Sequence, residues 1–223
     1  GQSCKRIIKQ QTENGEWISV HRALVILIEV ARGLSAVHAA GIVHRDVKPD
    51  NAVVEQGTGR TVLVDFGLAM SDEDRGDNQV VGSPAYMAPE QIRGTARVSA
   101  RTDVYGLART GFHLLTNRLV FDTDIVKQML ARQLDEQAPP LSRVRPELAP
   151  LDAVFLRALA KDPEDRYSNC AELTSALELA GARWLKPRMP NVQSGDFEEP
   201  VAARILVVDD DDEFAKLSVR ASQ

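Results

Sequence analysis

Eight residues from His44 to Asn51, HRDVKPDN, constrain this chain more than any other stretch. They bring an acid, basic side chains and an amide together in one short loop that contains Pro49. Short apolar runs border the loop, Ile42-Val43 before it and residues 52–54 after it. Short apolar runs beside turn residues are typical of β-strands, so we predict strands on both sides of a polar loop.

The flanking sequence predicts helices and a hairpin. Apolar side chains recur at helical spacing over residues 22–40, and Gly41 then suits a left-handed helix end. Residues 57–59 read as a turn before a strand over residues 61–64, which favours a β-hairpin with the polar loop at one end. Residues 69–90 show little periodicity and are predicted to form an exposed loop. Further helices are predicted over residues 103–116, 124–133, 151–161 and 170–182.

Composition fits a globular protein, because 43% of the residues are hydrophobic and 26% are charged. The net charge of −5 and the lack of a Lys/Arg block give no reason to expect nucleic-acid binding. The longest apolar run, residues 23–28, is too short to span a membrane, and residues 1–10 lack a signal-peptide core. Cys4 and Cys170 have no CxxC spacing, so we expect free thiols in a cytoplasmic protein.

The polar loop carries groups that suit phosphoryl transfer. Asp46 stands between Arg45 and Lys48, which should keep its carboxylate ionised and able to accept a hydroxyl proton. Lys48 could hold a phosphoryl group, and Asn51 offers a neutral oxygen to a hard cation such as Mg²⁺. Asp65, at a strand end before Phe66-Gly67, could be a second magnesium ligand. Taken singly, each residue fits a charged surface turn, with an Asp that caps a strand, better than it fits a catalytic site.

Three motifs in succession change that interpretation: HRDVKPDN, then DFG at residues 65–67, then Ala88-Pro89-Glu90. In this order and at these separations they resemble the C-terminal lobe of Ser/Thr protein kinases, the bacterial group most closely, over residues 1–184. The resemblance implies an α+β, protein-kinase-like fold whose lobe is mainly helical with short β-hairpins. It also implies a transferase that moves the γ-phosphoryl group of ATP to Ser or Thr hydroxyls of protein substrates, with Mg²⁺ as cofactor.

The resemblance assigns roles to the loop. Asp46 matches the catalytic base that orients and deprotonates the substrate hydroxyl, and Lys48 matches the residue that stabilises the γ-phosphoryl group. Asn51 and Asp65 match the Mg²⁺ ligands, and with Lys48 they form the predicted nucleotide-binding set.

Supporting roles follow from the same resemblance. His44 and Phe66 are predicted to pack and align the loop rather than to react. Asp103 matches the residue that fixes the backbone of the catalytic loop. Arg45 matches the cation that a phosphorylated activation loop neutralises.

The activation segment is predicted over residues 65–90. Ser71 and Ser83 carry its aliphatic hydroxyls, and Ser83 stands where the family more often has threonine. Phosphoregulation is therefore less favoured here than in relatives with a threonine pair. Glu90 is predicted to form a buried ion pair with Arg166 that anchors the end of the segment.

The family's glycine-rich loop, its strand lysine and the helix glutamate that pairs with this lysine have no counterpart before the polar loop. Lys5 and Lys9 stand in helix-like sequence and are poor substitutes for the strand lysine. We therefore expect the N-terminal lobe to be absent, and the 223 residues alone to bind ATP weakly and transfer phosphate negligibly.

A second unit is predicted after a linker at residues 185–202. Residues 203–223 contain ARILVVDDDDEFAKL, which resembles the truncated start of a response-regulator receiver domain. Asp209 and Asp210 match its acidic pair, which implies a histidine-kinase or phosphorelay partner. A solvated helix N-terminus is the alternative for this acidic run.

Two other functions compete with the kinase. A non-catalytic signalling scaffold with kinase architecture would not need to keep Asp46, Lys48, Asn51 and Asp65 together. A small-molecule phosphotransferase is disfavoured by Ala88-Pro89-Glu90 and by the residues before it, because GSPAYMAPE at residues 82–90 resembles the stretch with which the family docks protein substrates.

Overall fold

A computed structural model describes residues 1–65, 70–71, 83–94 and 98–185, with the backbone alone at residues 70–71. Several predicted features lie outside the described residues: Phe66, the side chain of Ser71, most of the linker, and the receiver segment with Asp209 and Asp210. The described part contains eight α-helices: α1 Cys4–Glu13, α2 Val20–Ala39, α3 Pro89–Arg93, α4 Ala100–Thr116, α5 Val126–Asp135, α6 Asp152–Ala158, α7 Cys170–Ala180 and α8 Ala182–Leu185. Its strands are β1 Gln2–Ser3, β2 Ile42–Val43, β3 Ala52–Val54, β4 Thr61–Leu63 and β5 Met70–Ser71.

Helix α2 is the predicted buried helix, and it begins two residues earlier than predicted. Ser19 caps it, because the Ser19 hydroxyl accepts the backbone N–H of Arg22 at 3.2 Å. Leu24 and Leu34, on its apolar side, are fully buried, and α2 packs on α4 and α7. Gly41 has φ +76°, as predicted for the residue that stops the helix.

Helix α4 runs through the core and supports the polar loop. It begins at Ala100, three residues before the predicted start, because Ser99 and Thr102 form a capping box there. Gly106 allows α4 to lie close to the loop: a Cβ at this position would sit 3.2 Å from the carbonyl oxygen of Val47. The helix is thus a buried platform directly beneath HRDVKPDN.

The predicted hairpin is present, since β3 and β4 pair antiparallel with Ala52 opposite Leu63. Strand β1 extends this sheet by pairing with β3, which the sequence does not predict. The prediction of an exposed loop over residues 69–90 is wrong in part, because β5 pairs with β2 and α3 begins at Pro89. Elements of two to five residues are too short to leave a recognisable period, and tertiary pairing decides them.

Two further expectations concern the cysteines and the membrane. Cys4 and Cys170 are free and buried, and burial raises the pKa of both thiols, to about 12 for Cys4. Within the described ranges, no helix combines the length and the apolarity needed to cross a membrane.

Candidate active site

The carboxylate of Asp46 is the centre of a buried polar cluster. One oxygen, Oδ1, accepts the backbone N–H of Ser83 at 3.1 Å. The other, Oδ2, contacts the Lys48 ammonium and the Asn51 amide nitrogen, the latter at 3.4 Å. The Asn51 amide also donates to the Asp46 carbonyl at 3.0 Å, and Lys48 donates to the Ser83 hydroxyl at 3.0 Å. Asp46, Lys48 and Asn51 therefore lie together as predicted, and Ser83 joins them.

The backbone of the loop is held from α4. The carboxylate of Asp103 accepts the backbone N–H groups of His44 at 2.9 Å and of Arg45 at 2.8 Å. This is the contact that the sequence predicts for Asp103. His38, for which the sequence predicts no role, lies 2.7 Å from the same carboxylate through Nε2. Arg45 has φ +69°, a conformation that is uncommon outside glycine and that these contacts maintain.

Asp65 lies two residues after the end of β4, the strand that pairs with β3. The backbone N–H of Val64 donates to the carbonyl of Asn51 at 2.8 Å, so the end of this strand lies beside the loop. Asp65 itself is exposed and has φ +64°. The Asn51 side chain is buried and its nitrogen faces Asp46, which leaves its oxygen as the atom available to a cation. An amide oxygen and a carboxylate are ligand types that suit Mg²⁺.

His44 is fully buried, in agreement with its predicted packing role. Burial lowers the pKa of its imidazole, and the nearby carboxylates of Asp103 and Asp46 oppose this shift only partly. Its Nδ1 lies 3.3 Å from the backbone nitrogen of Asp46. A neutral imidazole can accept that N–H and help to orient the loop.

Glu90 and Arg166 form the buried ion pair that the sequence predicts. Both guanidinium Nη atoms lie 2.8 Å from carboxylate oxygens of Glu90, and neither side chain is more than 1% exposed. The Thr102 hydroxyl also donates to Glu90 at 2.8 Å. Arg166 donates further to the carbonyls of Ala160 at 2.8 Å and Arg101 at 3.1 Å. The pair therefore fixes α3, and with it the end of the predicted activation segment.

Residues 83–88, here called the docking stretch, are held by side chains for which the sequence predicts no role. The Tyr86 hydroxyl lies 2.7 Å from Nδ1 of His113, and burial lowers the pKa of this imidazole to about 4. The fully buried Gln133 donates to the carbonyl of Pro84 at 2.8 Å. Gln91 contacts both the stretch and the loop. The position of Gln91 directly after Ala88-Pro89-Glu90 could have indicated a supporting role. Its hydrogen-bond partners could not be predicted before the fold was known.

Ser83, one of the two predicted hydroxyls of the activation segment, contacts Asp46 through its backbone and Lys48 through its side chain. Its hydroxyl is thus part of the cluster around the predicted base.

The family model for the protein kinase domain matches residues 1–180 of the chain. The chain belongs to the protein kinase family. It is 42% identical over 169 residues to Serine/threonine-protein kinase Pkn1 of Myxococcus xanthus, covering 72% of this chain and 24% of that protein. It is 39% identical over 166 residues to Serine/threonine-protein kinase PknF of Mycobacterium tuberculosis, covering 70% of this chain and 35% of that protein.

Solved structures agree on the fold. The M. tuberculosis PknI kinase domain superimposes with a TM-score of 0.64 at 32% identity, and the match covers 82% of this chain and 63% of that one. The predicted protein-kinase-like, mainly helical fold is therefore confirmed. The chain spans about a quarter to a third of the length of the curated Ser/Thr kinases named above.

Proposed function

We propose that this chain supplies the catalytic loop of a Ser/Thr protein kinase, which transfers the γ-phosphoryl group of ATP to protein hydroxyls. One observation carries the proposal. The Asp46 carboxylate is held by Ser83, Lys48 and Asn51 within a loop of the kinase family. Family membership alone does not assign a role to each of these side chains, and the roles below are therefore proposed.

Asp46 is the base in this proposal. Its carboxylate accepts the proton of a substrate Ser or Thr hydroxyl as the hydroxyl oxygen forms a bond to the γ-phosphorus of ATP, and ADP leaves. Lys48 lies beside this carboxylate and can neutralise charge on the transferring phosphoryl group. Ser83 restrains both groups, which keeps the base and the cation in one arrangement.

Asn51 and Asp65 are the proposed Mg²⁺ ligands and, with Lys48, the nucleotide-facing side chains. When bound, the metal would neutralise phosphate charge. Support comes from the type of donor atoms and from the backbone hydrogen bond that joins Asn51 to the strand before Asp65.

Weak binding of ATP by the 223 residues alone is also part of the proposal, because kinases contact the nucleotide from both lobes. Isothermal calorimetry with Mg-ATP and a transfer assay on a generic basic protein test this point. Detectable phosphorylation by these residues alone would overturn the weak-binding claim while supporting the kinase assignment. The gene sequence upstream of Gly1 provides a second test, since a glycine-rich loop and a strand lysine there would favour a kinase over a scaffold.

We further propose that residues 203–223 begin a receiver domain, with Asp209 and Asp210 as its acidic pair, and that the protein acts in the cytoplasm. Support for the receiver comes from the ILVVDDDD sequence alone. Translation of the gene downstream of Gln223 tests it, because a receiver requires a phospho-accepting aspartate after a later strand. Absence of such a strand and aspartate would contradict the receiver and leave the kinase proposal intact.

A further inference from the structure

The side chain of Gln91, in α3, connects the docking stretch to the polar loop. Its Nε2 donates to the carbonyl of Arg45 at 2.8 Å, and its Oε1 accepts the backbone N–H of Ala88 at 2.9 Å. The side chain is buried, with 9% of the residue exposed. One amide thus joins two segments that are 43 residues apart in sequence, from 45 to 88.

The carbonyl that Gln91 holds belongs to the peptide unit between Arg45 and Asp46. The nitrogen of the same peptide unit lies 3.3 Å from Nδ1 of His44. The preceding N–H, on Arg45, donates to Asp103 at 2.8 Å. Side chains from α3 and α4 therefore hold the polar groups around Arg45, whose φ of +69° is otherwise unfavourable. The orientation of this peptide unit determines where the Asp46 side chain begins.

Gln91 lies in a helix, α3, that is held firmly in place. The residue before it, Glu90, is locked by two 2.8 Å contacts to Arg166. Helix α3 is only five residues long, so this ion pair fixes the whole helix. A displacement of the docking stretch would therefore pull on Ala88 and, through Gln91, on the Arg45 carbonyl.

We propose that Gln91 is a positioning residue for phosphoryl transfer, which orients the Arg45–Asp46 peptide unit and couples the predicted base to the docking stretch. The inference rests on the proposed function. A purely structural role, in which Gln91 only caps the first turn of α3, is the competing explanation. The two roles can be separated because helix capping requires only Oε1, which accepts the N–H of Ala88. The positioning role also requires Nε2, which donates to the carbonyl of Arg45.

Two substitutions separate the two contacts. Gln91→Glu keeps an acceptor for Ala88 and replaces the donor to Arg45 with a second acceptor. Gln91→Met has a similar size and removes both contacts. Gln128→Glu makes the same chemical change on the exposed face of α5 and is the matched control.

The first measurement does not depend on activity. Amide hydrogen exchange and nitrogen–proton NMR spectra of the 223-residue chain report the environments of Ala88, Asp46 and Ser83. We expect Gln91→Glu to shift the amide resonances of Asp46 and Ser83, while the Ala88 amide stays protected from hydrogen exchange. Gln91→Met should shift the amide resonances of Asp46, Ser83 and Ala88. Unchanged Asp46 and Ser83 resonances in both variants would overturn the inference, whatever the kinase assay shows.

The second measurement is the rate of phosphoryl transfer by the complete gene product. At pH 7.5 we expect Gln91→Glu to lower kcat by about 10- to 100-fold with little change in KM for ATP, because the base is misplaced. As the pH falls towards 5.5, the buried carboxyl becomes protonated and can donate to Arg45, so kcat should recover relative to wild type. The Gln128→Glu control should follow the wild-type pH profile.

A capping role would leave no such recovery. A loss of kcat at pH 7.5 that stays constant down to pH 5.5, or unchanged kcat in Gln91→Glu, would overturn the inference while the wild type still transfers phosphate. Absence of transfer by the wild type would instead overturn the proposed function and the catalytic part of the inference with it. The resonance shifts would then still decide whether Gln91 holds Asp46 in place.

Discussion

The backbone N–H of Ser83 donates to the Asp46 carboxylate at 3.1 Å, so the docking stretch contacts the predicted base directly. The Ser83 hydroxyl completes a triangle by accepting from Lys48 at 3.0 Å. This arrangement couples the position of the docking stretch to the orientation of the polar loop.

Replacement of Ser83 tests that coupling. Ser83→Ala removes the acceptor for Lys48 and leaves the backbone contact to Asp46, so we expect kcat to fall roughly tenfold. Ser83→Thr keeps the hydroxyl and should retain activity close to wild type. Steady-state kinetics of the complete gene product with a protein substrate measure both variants. A Ser83→Ala variant with full activity would show that the hydroxyl contributes nothing.

The buried ion pair between Glu90 and Arg166 should dominate the stability of this region. Glu90→Gln leaves a buried guanidinium without its counter-charge, so the free energy of unfolding should fall by about 3–5 kcal/mol. Glu178→Gln is the control, because Glu178 pairs with Arg32 at the surface and such pairs contribute about 0–1 kcal/mol. Urea unfolding of the 223-residue chain provides the comparison. Equal losses in both variants would contradict the structural role of the buried pair.

The sequence specifies much of this site. The motifs locate the charged loop, Asp103 and the Glu90–Arg166 pair, because the family resemblance assigns each of them a place in the fold. The left-handed backbone of Arg45 could not be predicted, since it is stabilised by Asp103 from 58 residues away. The pairing of β2 with β5 could not be predicted either, because a strand of two residues is defined only by the strand with which it pairs.

Close packing at Gly106 provides a test of the platform beneath the loop. A Cβ added there would lie 3.2 Å from the Val47 carbonyl, so Gly106→Ala should push the loop and cost about 1–3 kcal/mol of stability. Gly33, in α2, has no atom within 4 Å of an added Cβ. Gly33→Ala should therefore stabilise the chain by about 0.5–1 kcal/mol. Thermal unfolding distinguishes the two signs, and a stabilising Gly106→Ala would contradict the close approach.

The pKa of His113 predicts a loss of stability in acid. Burial lowers its folded-state pKa to about 4, below the ordinary value of 6.5, so the unfolded chain binds an extra proton between these two pH values. Stability from this group is present above pH 6.5 and is lost as the pH falls towards 4. Carboxylates of Asp50 and Asp122 raise this pKa and Lys5 and Arg109 lower it, but burial dominates.

Urea unfolding at pH 7 and pH 5 measures this effect. From these pKa values, His113 should account for a loss of about 2 kcal/mol between the two pH values. His113→Asn should remove this part of the stability loss between pH 7 and pH 5. A smaller loss of stability in acid should remain, because burial also lowers the pKa of His44. The same pH dependence in His113→Asn and in wild type would contradict the assignment.

The most direct test of the kinase proposal is the transfer of the γ-phosphoryl group of ATP to a protein substrate by the Asp46→Asn variant of the complete gene product. We expect kcat to fall by about 100- to 10,000-fold, because the amide cannot accept the hydroxyl proton, while affinity for Mg-ATP changes less than about twofold. Asp135→Asn, at the exposed end of α5, should transfer phosphate at the wild-type rate. Retention of the wild-type rate by Asp46→Asn, or loss of ATP binding in place of transfer, would contradict the role of Asp46 as the catalytic base.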